Sequence, residues 1–166
     1  MGNIAVKDAN ILIDCAKIHI LGEVFQLPYQ FQTTDLVGAE VTDDEQRSEL
    51  DVYVENGSLS LVGLNVEEIL LIQELRDRHL GLSLEDCSVM YLAEKENAIL
   101  LTGDGTLRKS SAKVNIEVHG ILWLLRQVYE EGLLTQVAAC EKARLLKACN
   151  IRLPRNELEK MIKDLC

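Results

Sequence analysis

Aromatic residues, long apolar runs and paired cysteine motifs are scarce in this sequence, and each shortage narrows the class of protein. Only 4% of the 166 residues are aromatic although 48% are hydrophobic, so the core must be built from Leu, Ile, Val and Ala. That composition favours a parallel sheet covered by helices over an antiparallel sandwich, which is rich in Tyr, Thr and Trp. The hydrophobic content also excludes a disordered chain, despite 27% charged residues.

The sequence lacks the apolar runs that a signal peptide or a membrane span requires. Residues 1–6 show no basic region followed by a long apolar stretch, and no run approaches the roughly 20 residues that cross a bilayer. The cysteines are odd in number and contain no CxxC motif, so we expect reduced, mostly buried thiols and a cytoplasmic protein. The five cysteines are Cys15, Cys87, Cys140, Cys149 and Cys166.

The net charge of −10 is the reverse of what a nucleic-acid partner usually requires. Residues 1–132 hold 10 basic and 23 acidic side chains, whereas residues 133–166 hold 7 basic and 4 acidic ones. Carboxylates gathered for metal binding are one explanation of the acidic part, and an ordinary acidic protein with a basic C-terminal helix is another. Charge alone therefore does not decide the function.

Short apolar segments alternate with helical patterns along residues 1–132. Strands are predicted at 3–8, 31–33, 59–64, 98–102 and 114–118, with helices between them. This alternation predicts a three-layer α/β/α sandwich with a mostly parallel central sheet. Residues 133–166 are predicted to form a C-terminal extension of two helices separated by Pro154, which packs on the domain or on a partner.

Acidic residues follow or end several of these predicted strands. Asp8 ends the first strand and Asp104 follows the fourth, and the carboxyl ends of parallel strands meet at one edge of a sheet, where ligands bind. Two carboxylates roughly 5 Å apart at an effective dielectric near about 20 repel each other by about 3 kcal/mol. A hard divalent cation removes this repulsion, and oxygen ligands without His or Cys select Mg²⁺ or Mn²⁺.

Each acid also has an ordinary structural explanation. Asp8 is a suitable N-cap for the helix that follows it, and Asp86 with Ser83 fits a capping box. Asp104 lies in a Gly-Asp-Gly sequence that suits a tight turn, and Glu40 is interpretable as a solvated helix residue. Their order and their placement after strands make a shared metal the simpler account.

Four segments, in this order, resemble the motifs of PIN domains. Each contains one of the four acids, which makes the resemblance more specific than any single motif. The segments are 6–14 (VKDANILID), 33–40 (TTDLVGAE), 82–93 (LSLEDCSVMYLA) and 100–104 (LLTGD). The sequence is similar in particular to a bacterial and archaeal PIN subfamily related to VapC toxins, with one departure at Ala9, where Thr is common.

The resemblance implies a ribonuclease in which metal-activated water hydrolyses RNA phosphodiester bonds. It makes the four acids both catalytic residues and ligands of Mg²⁺ or Mn²⁺, with Asn10 and Thr102 orienting the ligands or the metal-bound water. Arg108, Lys109 and Lys113 are candidate contacts to the RNA backbone, although a solvated basic turn explains them equally well. An antitoxin is a candidate protein partner, and a homodimer is expected. The predicted ligands are Asp8, Glu40, Asp86 and Asp104.

Two other classes of function remain open at this point. A non-catalytic PIN-like module that binds nucleic acid or regulates a partner would suit the acidic composition. A phosphatase- or receiver-like enzyme would use Asp8 as its nucleophile. The second class is weakened because Ala9-Asn10 follows Asp8, where haloacid dehalogenase-type phosphatases need Asp-x-Asp.

Overall fold

A computed structural model describes residues 2–6 and 9–166 of the chain, so Asp8 lies outside the described residues. The chain divides into two compact units, one formed by Met1–Ala9 and Pro28–Val118 and the other by Asn10–Leu27 and His119–Cys166. The predicted boundary at residue 132 between a nuclease domain and a helical extension stays a prediction. No helix within the described ranges has the length and apolar character to cross a bilayer.

A five-stranded sheet contains the strands β1 (Gly2–Val6), β2 (Tyr29–Thr34), β3 (Leu59–Val62), β4 (Ile99–Leu101) and β5 (Val118–His119). Its strand order is β3-β2-β1-β4-β5. The central strand β1 pairs in parallel with both β2 and β4, and β2 pairs in parallel with β3. The predicted α/β fold with a mostly parallel central sheet is confirmed.

The helices that follow β2, β3 and β4 belong to the first unit, whereas those that follow β1 and β5 belong to the second. In chain order the helices are α1 (Ala9–Lys17), α2 (Leu21–Val24), α3 (Asp35–Glu40), α4 (Asp44–Glu55), α5 (Val66–Arg78), α6 (Leu84–Lys95), α7 (Gly105–Lys113), α8 (Ile121–Glu130), α9 (Gln136–Cys149) and α10 (Arg155–Leu165).

The core of the first unit is aliphatic, as the low aromatic content predicts. Leu100 from β4 is fully buried with Ile72 from α5, Met90 and Leu92 from α6, and Leu107 from α7. Six of the twelve residues of α6 are buried, so this helix lies deep in the unit. Its burial restricts where the helix can move and therefore fixes the position of its first turn.

The region after β4 differs from the predicted strand at 114–118, and the segment with Arg108, Lys109 and Lys113, for which a solvated basic turn was one explanation, is helical. Residues 105–113 form α7, Val114 is its C-cap, and Asn115 follows with a φ of 61°, in the left-handed region. Ile116 N donates to Ser111 O across this end, which satisfies a carbonyl of the last turn. Residues 114–117 therefore terminate a helix, and β5 begins at Val118.

In the second unit, α9 packs against α10 through small and apolar side chains. Ala139, Ala143 and Leu146 of α9 are buried at helical spacing, and Leu158, Met161 and Leu165 form the corresponding stripe on α10. The Gln136 side chain donates to Leu165 O over 3.1 Å. The two helices thus form a hairpin held by apolar contacts and a polar contact near its open end.

A disulfide between Cys140 and Cys166 closes the same hairpin, with 5.4 Å between the two Cα atoms. The prediction that all five cysteines are reduced is therefore wrong for this pair, because folding brings together two thiols that are 26 residues apart in sequence. Cys15 and Cys87 are free and buried as expected, whereas Cys149 is free and exposed. Burial raises the pKa of the Cys15 thiol, and the neighbouring Asp14 carboxylate raises it further.

Candidate active site

The ends of three neighbouring parallel strands meet at one edge of the sheet, which we name the carboxyl edge. Val6 of β1 is the register partner of Leu101 of β4, so these two strands end side by side. Thr33 of β2 donates a hydrogen bond of 2.7 Å from its Oγ1 to Val6 O. Residues that follow these strands therefore leave the sheet from the same edge.

Asp104 is held where the chain passes from β4 into α7. Its backbone N–H donates to Oγ1 of the fully buried Thr102 over 3.1 Å. Its Oδ1 accepts the backbone N–H of Leu107 over 2.8 Å, which makes Asp104 the N-cap of α7. The carboxylate itself is exposed. Thr102 therefore fixes the backbone of Asp104, and its role in orienting a metal ligand or the metal-bound water stays a prediction.

Asp86 is held in the first turn of α6 by reciprocal hydrogen bonds with Ser83. Ser83 N donates to Asp86 Oδ2 over 2.9 Å, and Asp86 N donates to Ser83 Oγ over 3.0 Å. This is the capping box that the sequence predicts as a structural role. The side chain is half-buried, so the capping role leaves part of the carboxylate open to solvent.

Glu40 is the last residue of the short helix α3 and is exposed. Thr34 caps this helix, since its Oγ1 accepts the backbone N–H of Val37 over 3.2 Å. Arg47 from α4 donates to Gly38 O over 2.7 Å and so holds the second half of α3.

One of the four predicted ligands, Asp8, lies outside the described residues. Within residues 2–6 and 9–166, no group of three or more His, Cys, Asp or Glu side chains is arranged to hold a metal ion. Glu40, Asp86 and Asp104 alone therefore form no complete ligand set in these ranges. The four-acid metal site stays a prediction that depends on Asp8.

The other predicted site residues occupy different places. Lys109 and Lys113 lie four residues apart on α7 and are both exposed, so they share one face of that helix. Arg108 is half-buried on the same helix. Asn10 is exposed on α1, in the second unit.

One thiol lies next to these acids, and its ionisation bears on the donor chemistry. Burial raises the pKa of Cys87 to about 11, with the Asp86 carboxylate adding to the shift. The thiol therefore keeps its proton near neutral pH, and a thiol must lose its proton to bind a metal strongly. The donors available among these residues are carboxylate and hydroxyl oxygens, which suit Mg²⁺ or Mn²⁺.

Sequence reasoning did not single out Ser88, which is fully buried on α6. Its Oγ lies 2.7 Å from Thr34 Oγ1. The signal that could have identified it is a serine placed among apolar residues of a buried helix, because buried hydroxyls require partners.

Together, the fold and the site define a parallel α/β protein whose acidic residues cap or end helices next to the carboxyl edge of its sheet. The chain belongs to the PIN-domain family, since the family model described as "DUF3368: PIN domain" matches residues 4–165. The family predicted from the sequence is therefore confirmed.

Similarity to individual proteins is more distant. The structure is similar to a chain in the crystal structure of VapBC2 from Rickettsia felis bound to a DNA fragment from their promoter. The TM-score is 0.49 at 17% identity, and the match covers 71% of this chain and 98% of that chain. Among curated proteins, none matches the sequence.

Proposed function

We propose that the protein is a metal-dependent ribonuclease that hydrolyses RNA phosphodiester bonds with water. The observation that carries this proposal is the PIN-domain match over residues 4–165, a span that contains all four predicted acids. The placement of Asp104 and Asp86 on elements next to the carboxyl edge supports it, because this is the edge at which parallel α/β proteins bind ligands.

Asp8, Glu40, Asp86 and Asp104 would hold the metal, which we propose to be Mg²⁺ or Mn²⁺. The donor chemistry fits, since carboxylates are the ligands that these hard cations prefer. A carboxylate offers about four lone-pair positions, so one capping hydrogen bond at Asp86 or Asp104 leaves acceptor capacity. Asp8 follows β1, which is the parallel neighbour of β4, and would complete the set.

When bound, the metal supplies an activated water and neutralises charge on the phosphoryl group. The residues of the chain would bind the metal and orient its ligands. Thr102 fixes the backbone of Asp104 through its hydroxyl, and Ser83 fixes the side chain of Asp86. Asn10 is proposed to orient a ligand or the water that the ligands hold. No His, Cys or Ser nucleophile is required.

RNA cleavage should depend on a divalent cation. We expect purified protein to cleave a fluorescently labelled single-stranded RNA with Mg²⁺ or Mn²⁺ and not after removal of the cation with EDTA. Restoring Mn²⁺ should restore cleavage, which separates metal loss from unfolding. Cleavage that continues at the same rate in EDTA would contradict the metal-dependent mechanism.

The exposed lysines of α7 are proposed to contact the RNA backbone. Replacing both in a Lys109→Ala/Lys113→Ala variant should weaken binding to single-stranded RNA similarly for all sequences. The slope of log Kd against log salt should decrease by roughly 1–2, because binding releases fewer counterions when two phosphate contacts are missing. Fluorescence anisotropy at several salt concentrations measures both effects.

The matched control for this prediction is Arg78→Ala on α5, where Arg78 is exposed and pairs with Glu74 over 3.6 Å. It removes a surface cation from a helix outside the proposed contact. An equal change of slope in the control and the double variant would show that general charge, rather than α7, governs RNA binding.

A non-catalytic PIN-like binding or regulatory module is the second candidate function. The net charge of −10 favours the regulatory form of this module, because an acidic protein repels RNA unless a cation intervenes. Isothermal titration calorimetry separates the two candidates. Absence of Mg²⁺ and Mn²⁺ binding would favour the module.

The biological setting proposed for the ribonuclease is that of a cytoplasmic toxin with an antitoxin partner, acting as a homodimer. This proposal is supported by the resemblance of the sequence motifs to the VapC-related PIN subfamily. A small protein encoded next to this one that suppresses its RNase activity would be the expected partner. Light scattering of the purified protein would measure the oligomeric state.

A further inference from the structure

A chain of hydrogen bonds joins two helices through two hydroxyls that are both fully buried, Thr34 and Ser88. Thr34 Oγ1 accepts from Val37 N over 3.2 Å and lies 2.7 Å from Ser88 Oγ. Ser88 Oγ donates to Glu85 O over 2.7 Å. A hydroxyl has a single proton, so the Ser88 proton is already used and Thr34 must donate to Ser88.

The ends of this chain belong to the two helices that carry proposed ligands. Val37 lies in α3, whose last residue is Glu40. Glu85 directly precedes Asp86 in the first turn of α6. The two hydroxyls therefore connect the start of the helix with Glu40 to the turn with Asp86, and α3 packs against α6.

The hydrogen-bond chain is geometrically demanding because both hydroxyls are removed from water. A buried hydroxyl that loses its partner keeps its full desolvation penalty, so small displacements of α3 against α6 are unfavourable. The helix α3 has only six residues and is too short to be stable by itself, so its placement depends on such tertiary contacts.

We propose that Thr34 and Ser88 are positioning residues that set the placement of Glu40 relative to Asp86 for metal binding. The inference rests on the proposed function, since it takes both acids to be ligands. Neither hydroxyl touches the metal or the substrate. They act through α3 and α6, in the way that outer hydrogen bonds commonly orient metal ligands in proteins.

The test measures Mn²⁺ affinity by isothermal titration calorimetry, together with the melting temperature, for Thr34→Val and Ser88→Ala. Each variant should bind Mn²⁺ roughly 10–100-fold more weakly than wild type, which is the loss typical of outer-shell changes. Thr34→Ser keeps the hydroxyl and should bind Mn²⁺ with close to wild-type affinity, because the same donor and acceptor groups remain at this position.

Ser111→Ala is the matched control, because Ser111 Oγ is buried and has no hydrogen-bond partner among the described residues. It removes a buried hydroxyl of the same unit from α7, and it should leave Mn²⁺ affinity unchanged. An affinity loss in this control as large as in Ser88→Ala would overturn the proposal.

The double variant Thr34→Val/Ser88→Ala separates positioning from stability. Removing both partners leaves no unpaired hydroxyl between the helices, so its melting temperature should recover part of the loss seen in the single variants. Its Mn²⁺ affinity should stay low, because the directional link is gone. If both the melting temperature and the Mn²⁺ affinity recovered, Thr34 and Ser88 would have only a structural role, and the proposal would be overturned.

The proposed function and the positioning role of Thr34 and Ser88 are tested by different outcomes. If wild type binds neither Mn²⁺ nor Mg²⁺, the metal-dependent ribonuclease and this inference both fail. If wild type binds Mn²⁺ and the two single variants bind it within about twofold, only the positioning role of Thr34 and Ser88 is overturned.

Discussion

The Asp104→Asn variant is expected to lose RNA cleavage by at least about 100-fold while it keeps its fold. Asn is as good an N-cap as Asp, so the hydrogen bond from Leu107 N to the side chain at position 104 survives. The substitution removes the negative charge that a hard divalent cation requires of its ligand. Outer-shell changes already cost about 10–100-fold, so removing a charged ligand should cost at least the upper figure.

This substitution distinguishes the two explanations of Asp104 that the sequence leaves open. A residue that only caps α7 should tolerate Asn with little change in activity or melting temperature. Asp104→Ala, by contrast, also removes the cap and should lower stability by about 1 kcal/mol. Cleavage by Asp104→Asn at the wild-type rate, in preparations shown to be free of contaminating nuclease, would remove Asp104 from the proposed ligand set.

Asp43→Asn is the matched control for this experiment. Asp43 is also an N-cap, since its Oδ1 accepts Gln46 N over 3.0 Å at the start of α4. It is exposed and is not one of the proposed ligands. Activity should be unchanged in this variant, whereas a loss equal to that of Asp104→Asn would indicate a general effect of surface charge.

Breaking the Cys140–Cys166 disulfide is expected to lower the free energy of unfolding by about 3 kcal/mol. The bond closes a loop with a sequence separation of 26 residues, and the chain-entropy relation gives about 3.5 kcal/mol for a loop of this size. Apolar contacts between α9 and α10 do not depend on the bond, so the reduced protein should still fold. Urea unfolding with and without a dithiol reductant measures the difference.

Cys149→Ser is the control for the disulfide, because Cys149 lies on α9 and is free and exposed. It should leave the response to reductant intact, whereas Cys140→Ser should abolish it. A thiol titration of denatured, unreduced protein should find three free thiols in wild type, namely Cys15, Cys87 and Cys149. Five free thiols would contradict the bond directly.

Local rules predicted much of the fold because they act over a few residues. The sequence pattern predicted the capping box of Ser83 with Asp86 and the two helices on either side of Pro154, and the structure has both features. α7 was not predicted, because the helix begins at a Gly-Asp-Gly sequence that is equally typical of a turn. The Asp104 cap and the burial of Leu107 in the core together stabilise this segment as a helix.

Features that depend on long-range contact could not be predicted in the same way. The pairing of Cys140 with Cys166 requires α10 to fold back on α9, and spacing alone does not select a pair among five cysteines. The contact of Thr34 with Ser88 likewise joins residues 54 apart in sequence. The candidate acids could be predicted from the sequence because each lies in a short family motif. The contacts that position these acids join residues far apart in the chain and could not be predicted in that way.

The capping hydrogen bonds have one more consequence for the carboxylates of Asp86 and Asp104. Each side chain receives a backbone N–H, so its torsion angles are already restricted in the folded protein. The conformational entropy that free aspartates would lose on meeting a ligand is lost here during folding instead. Whatever binds these two carboxylates therefore meets a pre-organised surface, and its affinity is not reduced by the ordering of flexible side chains.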